Sequence, residues 1–344
     1  MFGGLKMVME IWKQIKQKQI APVYLLFGKE SFLINETKQL LLDRILKEDE
    51  KDFNLSIYDL EETPIEVALE DAETFPFLGE KKVLFLQNPT FLTAEKVKEK
   101  VEHNLSRLEA YLKQPAPYSV LVLSAPYEKL DERKKITKEL KRTAVTVEAK
   151  ALNEQELKDW IRTRASYNKI EIAPDAVEQI ITLVGNNLFM VTSEIDKLAL
   201  YVTDTRMIDV DIVEKLVAKS LEQNIFALID KVMDRKLDGA LRIYYDLLKQ
   251  NEEPIKILAV LAGHFRLIYQ VKELARRGYG QMQIAGQLKA NPYRVKLVLK
   301  QTPKFKDEEL AWIMKSLAEV DYGMKTGKMD KSLLLEMFLF KLTT

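Results

Sequence analysis

Apolar runs and amphipathic stretches alternate through the first 150 residues of the chain. Short runs of Val, Leu, Ile and Phe are typical of strands buried on both faces, whereas apolar residues three and four positions apart indicate helices. The runs predict strands at 22–28, 55–60, 83–87, 120–124 and 145–147, and the amphipathic stretches predict helices at 8–18, 31–46 and 131–142. This alternation predicts an α/β fold with a parallel sheet.

The pattern changes after residue 150, where helical periodicity continues and strand-like runs stop. Helices are predicted over 153–167, from Pro174, over 188–202 and over 209–218. From residue 220 the chain is predicted to be helical to its end, and its longest helix spans 254–277. We therefore predict three domains: an α/β domain at 1–149, a small helical domain at 150–219 and an all-helical domain at 220–344.

The connection Thr74–Gly79 carries two aromatic residues and a leucine around a proline. The preceding apolar stripe predicts a helix that Thr63 caps and that ends near Glu73, because Pro76 cannot continue it. The stripe consists of Ile65, Ala68, Leu69 and Ala72. The apolar residues that follow can fold onto their own core or form an exposed site for a partner, and the residues alone leave both alternatives open.

Composition excludes several classes of chemistry. The chain has no cysteine and two histidines, which argues against disulfides, thiolate zinc sites and a Ser-His-Asp relay. Basic and acidic residues number 53 and 52, so the overall charge does not favour a polyanionic partner. No apolar run is long enough for a membrane span, and the first residues lack the apolar core of a signal peptide. A cytoplasmic location without membrane association is expected.

The turn Gly28–Ser31 follows a predicted strand and precedes a helix, as a nucleotide-binding loop does. A phosphate loop needs Gly-x-x-x-x-Gly-Lys followed by Ser or Thr. If Lys29 were its lysine, the first glycine would be Val23 and the hydroxyl residue would be Glu30. Both positions fail, so ATP binding is not expected. No catalytic residue, cofactor or metal site is predicted.

The segment 271–300 is rich in basic residues and contains a single acidic one, Glu273. Tyr279 and Tyr293 are interleaved with the basic positions. A cationic strip of this kind binds phosphates without regard to base sequence, but it is also typical of a solvated helix face. The predicted DNA-contacting residues are Arg276, Arg277, Lys289, Arg294 and Lys296.

Short motifs spread over nearly the whole chain resemble the delta subunit of the bacterial DNA polymerase III clamp loader. The resemblance rests on their order and spacing, since each motif is weak alone. The motifs lie at Tyr24–Leu33, Gly185–Leu188, Glu194–Leu198, Ile257–Ala259, His264–Leu267, Ile284–Leu288, Asn291–Tyr293 and Asp321–Gly327.

The resemblance assigns a partner to the 74–79 connection. In this family a Leu-Phe-like pair at this position inserts into a hydrophobic pocket of the sliding clamp, the beta subunit. By position the pair falls on Phe77 and Leu78, with Phe75 and Pro76 beside it, and all four are predicted clamp-binding residues. The order here is Phe-Leu instead of Leu-Phe, which leaves open which side chain inserts deepest.

The resemblance also implies an AAA+-like first domain without a working nucleotide site and a C-terminal collar for oligomerisation. The implied function is to bind the clamp and open its ring for loading onto primed DNA during replication. The implied assembly is a hetero-pentamer with tau/gamma and delta-prime type subunits, which contacts primer-template DNA as a complex. The chain would be no enzyme itself but a component of DNA polymerase III, a nucleotidyltransferase. Two alternatives stay open: an ATP-hydrolysing AAA+ loader subunit, and a DNA-binding replication accessory protein that acts through 271–300.

Overall fold

A computed structural model describes residues 4–94 and 101–343 of the chain. The chain forms two compact units, Met1–Ala151 and Leu152–Thr344. The first unit contains an α/β sheet and the second is almost entirely helical. The predicted fold class, a parallel α/β region followed by helical regions, is confirmed. The division into three domains stays a prediction.

The sheet of the first unit is parallel, with the strand order β2-β3-β4-β1-β5. The strands are β1 (Val23–Gly28), β2 (Leu55–Asp59), β3 (Lys82–Gln87), β4 (Ser119–Ala125) and β5 (Val145–Ala149). Every residue of β1 and β4 is buried, which explains why these strands read as continuous apolar runs. The edge strand β2 is partly exposed along its length.

Helices cover this sheet. They are α1 (Gly4–Lys16), α2 (Ser31–Ile45), α3 (Lys51–Asn54), α4 (Ile65–Glu73), α5 (Leu105–Lys113) and α6 (Lys135–Thr143). Alternate strand residues, such as Leu25 and Leu123, pack with α4, α5 and α6 in one hydrophobic core. Helices α1 and α2 contact each other and β5. The residue pattern had not predicted α3 or α5.

The second unit contains eleven helices in its described residues, 152–343. They are α7 (Glu154–Tyr167), α8 (Pro174–Val184), α9 (Leu188–Tyr201), α10 (Val210–Leu216), α11 (Leu221–Met233), α12 (Leu237–Lys249), α13 (Pro254–Arg276), α14 (Gln281–Leu288), α15 (Pro292–Gln301), α16 (Asp307–Lys325) and α17 (Lys331–Thr343). The prediction that strands stop after residue 150 is wrong in one detail. Two-residue strands, β6 (Glu171–Ile172) and β7 (Met207–Ile208), pair in parallel. Two residues are too few to show an alternating pattern.

The long helix α13 forms the centre of the C-terminal bundle. It contacts α11, α14, α15, α16 and α17, and residues such as Ile257, Leu261 and Phe265 are buried in the core of this bundle. His264 lies within this core, where its Nε2 and the Gln301 Oε1 are 2.8 Å apart. Burial lowers the pKa of His264 to about 4, so the imidazole is neutral at physiological pH. Within the described residues, no helix is long and apolar enough to cross a membrane.

Candidate functional site

Helix α4 leads directly into the predicted clamp-binding residues. Its stripe of Ile65, Ala68, Leu69 and Ala72 is fully buried, and the helix ends at Glu73 as predicted. The predicted cap at its start is wrong, because Pro64 occupies the capping position and no side-chain oxygen of residues 4–94 or 101–343 caps α4. Instead, the Ile65 N–H donates to Nδ1 of His103, 38 residues away in the sequence (3.2 Å). Because this cap comes from a residue far away in the sequence, no motif near the start of α4 could have predicted it.

The loop between α4 and β3, residues 74–81, exposes its apolar side chains. Phe75 and Phe77 are each 79% exposed, Leu78 is 42% exposed and Pro76 is half-buried. Exposure of this kind excludes the alternative in which these side chains fold onto their own core. The contact of these four residues with a clamp stays a prediction.

The end of α4 is fastened to the two neighbouring strands. The last carbonyls of a helix have no partner within the helix, and they need donors from elsewhere. The Tyr118 hydroxyl donates to the Glu73 carbonyl (2.6 Å), and Ser119 donates to the Ala72 carbonyl (2.6 Å). The Lys82 ammonium donates to the Asp71 carbonyl (2.8 Å). The base of the loop is therefore fixed to β3 and β4.

Lys82 is the buried centre of this fastening. Its ammonium also forms an ion pair with the Asp71 carboxylate and donates to the Thr74 hydroxyl (2.9 Å). Burial acts to raise the pKa of Asp71, but hydrogen bonds from Lys82 and Ser56 outweigh it and hold the pKa below its usual value. A buried ammonium with three oxygen partners ties the loop base to the first residue of β3.

We expect Lys82→Met to lower the free energy of unfolding by about 2 kcal/mol at pH 7, because it removes a hydrogen-bonded charge from the Asp71 carboxylate. Asp71 has a depressed pKa in the fold, so its stabilisation is present above its ordinary pKa of 3.8 and is lost as the pH falls through the folded value. The difference between Lys82→Met and wild type should therefore shrink from pH 7 to pH 3. Urea melts at both pH values measure it. Lys81→Met, at the exposed neighbouring position, is the control, and an equal loss in both variants would contradict the assignment.

Asn54, at the end of α3, holds the backbone of the loop. Its Oδ1 accepts a hydrogen bond from the Phe77 N–H (2.9 Å), and its Nδ2 donates to the Leu78 carbonyl. Asn54 is only 1% exposed. Sequence reasoning missed this residue, because an asparagine 23 positions before its partner belongs to no periodic pattern.

Phe53 extends the apolar surface of the loop. Its ring is 58% exposed and stacks on the Phe77 ring, with 5.3 Å between the centroids. On the other side, the Phe75 ring lies 4.6 Å from the Tyr118 ring. We call Phe53, Phe75, Phe77 and Leu78 the aromatic surface. Several exposed apolar side chains on one short loop and the residue stacked on it are typical of an interaction site.

The turn after β1 packs closely against the end of β5. Gly28 has φ +131, and a Cβ placed on it would lie 2.0 Å from the Ala149 carbonyl oxygen. The Glu30 N–H donates to that carbonyl (3.0 Å), while the Glu30 carboxylate accepts from the Phe32 N–H (3.3 Å) at the start of α2. Burial raises the pKa of Glu30. A carbonyl and a carboxylate therefore occupy the position where a nucleotide loop offers N–H donors.

The basic strip is largely neutralised by ion pairs. Arg276 pairs with Asp307 and Glu273, Lys296 with Glu154, and Arg294 with Glu222. Arg277 and Lys289 are exposed, and neither has a carboxylate within 4 Å in residues 4–94 and 101–343. The prediction of DNA contacts thus rests mainly on these two side chains.

No group of three or more His, Cys, Asp or Glu side chains in the described residues could hold a metal ion.

Comparison with known proteins decides the family. A model of the DNA polymerase III delta subunit matches residues 24–150, and a model of its C-terminal domain matches 222–342. A third model, described as a middle domain, matches 153–215. DNA polymerase III subunit delta of Bacillus subtilis (strain 168) is 52% identical over 336 residues, which cover 98% of this chain and 97% of the relative. The chain belongs to the DNA polymerase III delta subunit family.

A solved structure and one further relative agree with membership of the delta family. The solved structure of the Bacillus subtilis DNA clamp loader delta protein has a TM-score of 0.86 and 51% identity, covering 98% of this chain and 99% of that one. A probable DNA polymerase III subunit delta of Aquifex aeolicus (strain VF5) is 24% identical over 324 residues, or 92% of this chain and 90% of the relative. The family resemblance predicted from short motifs is confirmed. The delta-family match at 24–150 includes the loop and the aromatic surface.

Proposed function

We propose that this delta-family chain binds the sliding clamp through Phe75, Pro76, Phe77 and Leu78 and opens its ring. The observation that carries the proposal is the exposure of Phe77, 79%, on a loop whose base is fastened to the sheet. Large aromatic side chains are frequent anchors of protein interfaces, where they fill desolvated pockets. The name of the Bacillus subtilis relative, a DNA clamp loader delta protein, supports the same role.

A fastened loop suits ring opening because it limits the cost of binding. Side chains and loops that become ordered on binding consume part of the interaction energy. Here the loop base is ordered already by the hydrogen bonds from Tyr118, Ser119 and Lys82. More of the energy of inserting Phe77 is then available to hold the clamp in an open form. ATP-binding partner subunits would control when the aromatic surface is accessible.

The proposed division of labour follows the three predicted domains. Residues 1–149 would bind the clamp, 150–219 would form a small lid-type domain, and 220–344 would form the collar that joins tau/gamma and delta-prime type subunits. The last helix supports the collar, because α17 is apolar on its outer face as well as its buried one. Its exposed apolar residues are Leu333, Met337 and Phe340.

The proposal is tested by titrating the purified chain against the sliding clamp of the same organism. We expect a one-to-one complex with a micromolar or tighter Kd, measured by fluorescence anisotropy of a labelled clamp. Ring opening is measured separately, with a fluorescent dye at a subunit interface of the clamp. The control is a clamp whose subunit interface is covalently blocked, because this ring should bind the chain without a change in the fluorescence of the interface dye. Absence of a complex at high micromolar concentrations of both proteins would refute the proposal.

Neither binding nor hydrolysis of ATP is expected for the purified chain. The carbonyl of Ala149 and the carboxylate of Glu30 face the turn where phosphates would need N–H donors, and negative groups repel phosphate. Equilibrium titration with a fluorescent ATP analogue should give no saturable signal up to high micromolar concentrations. The rival function, an ATP-hydrolysing loader subunit, would be supported by micromolar affinity that Lys29→Ala abolishes.

A further inference from the structure

Asn54 is a buried polar side chain at a rigid junction. It is the last residue of α3, and β2 begins at the next residue, so its backbone is fixed by a helix on one side and a strand on the other. A buried side-chain amide is destabilising unless its donor and its acceptor both find partners. Both partners of Asn54 are backbone groups of the loop, at Phe77 and Leu78.

These two hydrogen bonds are the contacts that define the conformation of the loop backbone. In the described ranges 4–94 and 101–343, residues 75–81 form no backbone-to-backbone hydrogen bond. The side-chain amide of Asn54 hydrogen-bonds to the loop as the backbone of a neighbouring strand would. It accepts from the Phe77 N–H and donates to the Leu78 carbonyl. Its oxygen and nitrogen must each face the correct partner, which specifies a single arrangement of the loop.

The next residue of the loop is fixed by the same segment of the chain. Gly79 has φ +74, and a Cβ placed there would lie 2.5 Å from Oε1 of the buried Glu50. Glu50 is itself held, since its Oε2 accepts from the Lys47 N–H (3.0 Å). Phe53, next to Asn54, stacks on Phe77. Residues 47–54 therefore form a seat under Phe77, Leu78 and Gly79.

We propose that Asn54 is a positioning residue that holds Phe77 and Leu78 in the orientation in which they enter the clamp pocket. The inference rests on the proposed clamp-binding function and adds a residue to it. If the loop adopts the conformation that can bind the clamp, the competent conformation, only part of the time, the apparent Kd equals the intrinsic Kd divided by the fraction of molecules in that conformation. Without the two hydrogen bonds, the backbone at Phe77 and Leu78 loses its side-chain anchor between the fastened loop base and Gly79, and the competent fraction falls.

The first measurement concerns the free protein. Hydrogen exchange followed by mass spectrometry on peptides that cover 75–81 should be faster in Asn54→Ala than in wild type. Asn104→Ala is the control for loss of an asparagine elsewhere in the first unit, because the exposed Asn104 also accepts a backbone hydrogen bond, from the Arg107 N–H (3.1 Å). Exchange in 75–81 should be unchanged in Asn104→Ala. Unchanged exchange in Asn54→Ala would overturn the inference without any clamp in the experiment.

The second measurement is the clamp titration. Asn54→Ala should weaken binding about tenfold, as expected when the competent fraction falls to about one in ten. Added to Phe77→Ala/Leu78→Ala, it should weaken binding less than about twofold, since it acts through those two side chains. An additional tenfold loss in that background would show a merely structural role. Asn54→Asp keeps an acceptor for the Phe77 N–H but has no donor for the Leu78 carbonyl, and it serves if Asn54→Ala does not fold.

The outcomes separate the inference from the proposed function. If wild type binds the clamp and Asn54→Ala binds within twofold of it, Asn54 is not a positioning residue and the proposed function stands. If wild type does not bind, both fall. Both the inference and the proposed function are supported if Asn54→Ala shows faster exchange in 75–81, a tenfold weaker clamp Kd and unchanged hydrogen exchange outside the loop.

Discussion

Phe77→Ala should weaken clamp binding by about 30-fold or more while leaving the protein folded. Burial of an aromatic side chain removes about 150–250 Å² from water, which is on the order of 4–6 kcal/mol before the costs of ordering. Interface anchors typically cost about 2 kcal/mol or more on truncation, and about 1.4 kcal/mol corresponds to a tenfold change in Kd. Because Phe77 is 79% exposed in the free chain, its truncation should change the free energy of unfolding by less than about 1 kcal/mol. A clamp titration and a urea melt on the same variant measure both effects.

Phe189→Ala is the matched control for this prediction. Phe189 is 69% exposed and lies on α9 in the second unit, so its truncation removes the same side chain from a different surface. It should leave the clamp Kd within twofold of wild type. Equal weakening in both variants would show that exposed aromatic side chains bind the clamp without specificity. A large loss of folding free energy in Phe77→Ala with unchanged clamp affinity would refute the clamp-binding role of Phe77.

Leu333→Glu/Met337→Glu should exclude the chain from the loader complex and leave clamp binding intact. The two side chains lie one helical turn apart on the exposed face of α17, so both would enter the same subunit interface. An unpaired carboxylate buried at an interface costs several kcal/mol. Assembly with the partner subunits should weaken by about 100-fold or more, which equals about 2.8 kcal/mol or more. Gel filtration of the mixed subunits and a separate clamp titration test the two halves of the prediction.

Leu200→Glu/Met207→Glu is the control for assembly. It replaces the same two residue types, both exposed, in the same unit but outside α17. This variant should elute in the complex. If the α17 variant also enters the complex, the collar does not use this face and residues 220–344 have another role.

The sheet could be predicted from the sequence because its signal lies in the strand residues themselves. The strands β1, β3 and β4 are buried on both faces, and a run such as Val120–Leu123 admits few other structures. The end of α4 could be predicted for an equally local reason, because proline lacks the N–H that a helix needs beyond its first turn, and Pro76 follows α4 closely. The resemblance to the delta family implied the sliding clamp as a partner. The residues alone left open whether Phe77 is buried or exposed, and the structure shows that it is exposed.

The fastening of the loop could not be predicted, because it depends on residues that the fold brings together. Asn54, Lys82 and Ser119 are separated by up to 65 positions, and none of them stands in a motif. Each is polar and buried, which becomes meaningful only when its partner is known. The ion pairs that neutralise the basic strip are similar, since Glu154 lies far from Lys296 in the sequence. The number of basic residues in 271–300 therefore overstated how many positive side chains are unpaired and available to contact DNA.

The fastening at Lys82 and Ser119 has a mechanical consequence. These two residues are register partners at the start of β3 and β4, and both hold the end of α4. A pull on Phe77 therefore travels through the end of α4 into two adjacent strands, where many parallel hydrogen bonds share the load. Under the proposed function, tension between the clamp and Phe77 would be borne by β3 and β4. Under the proposed function, the loop would act as the tip of a rigid lever instead of a tether.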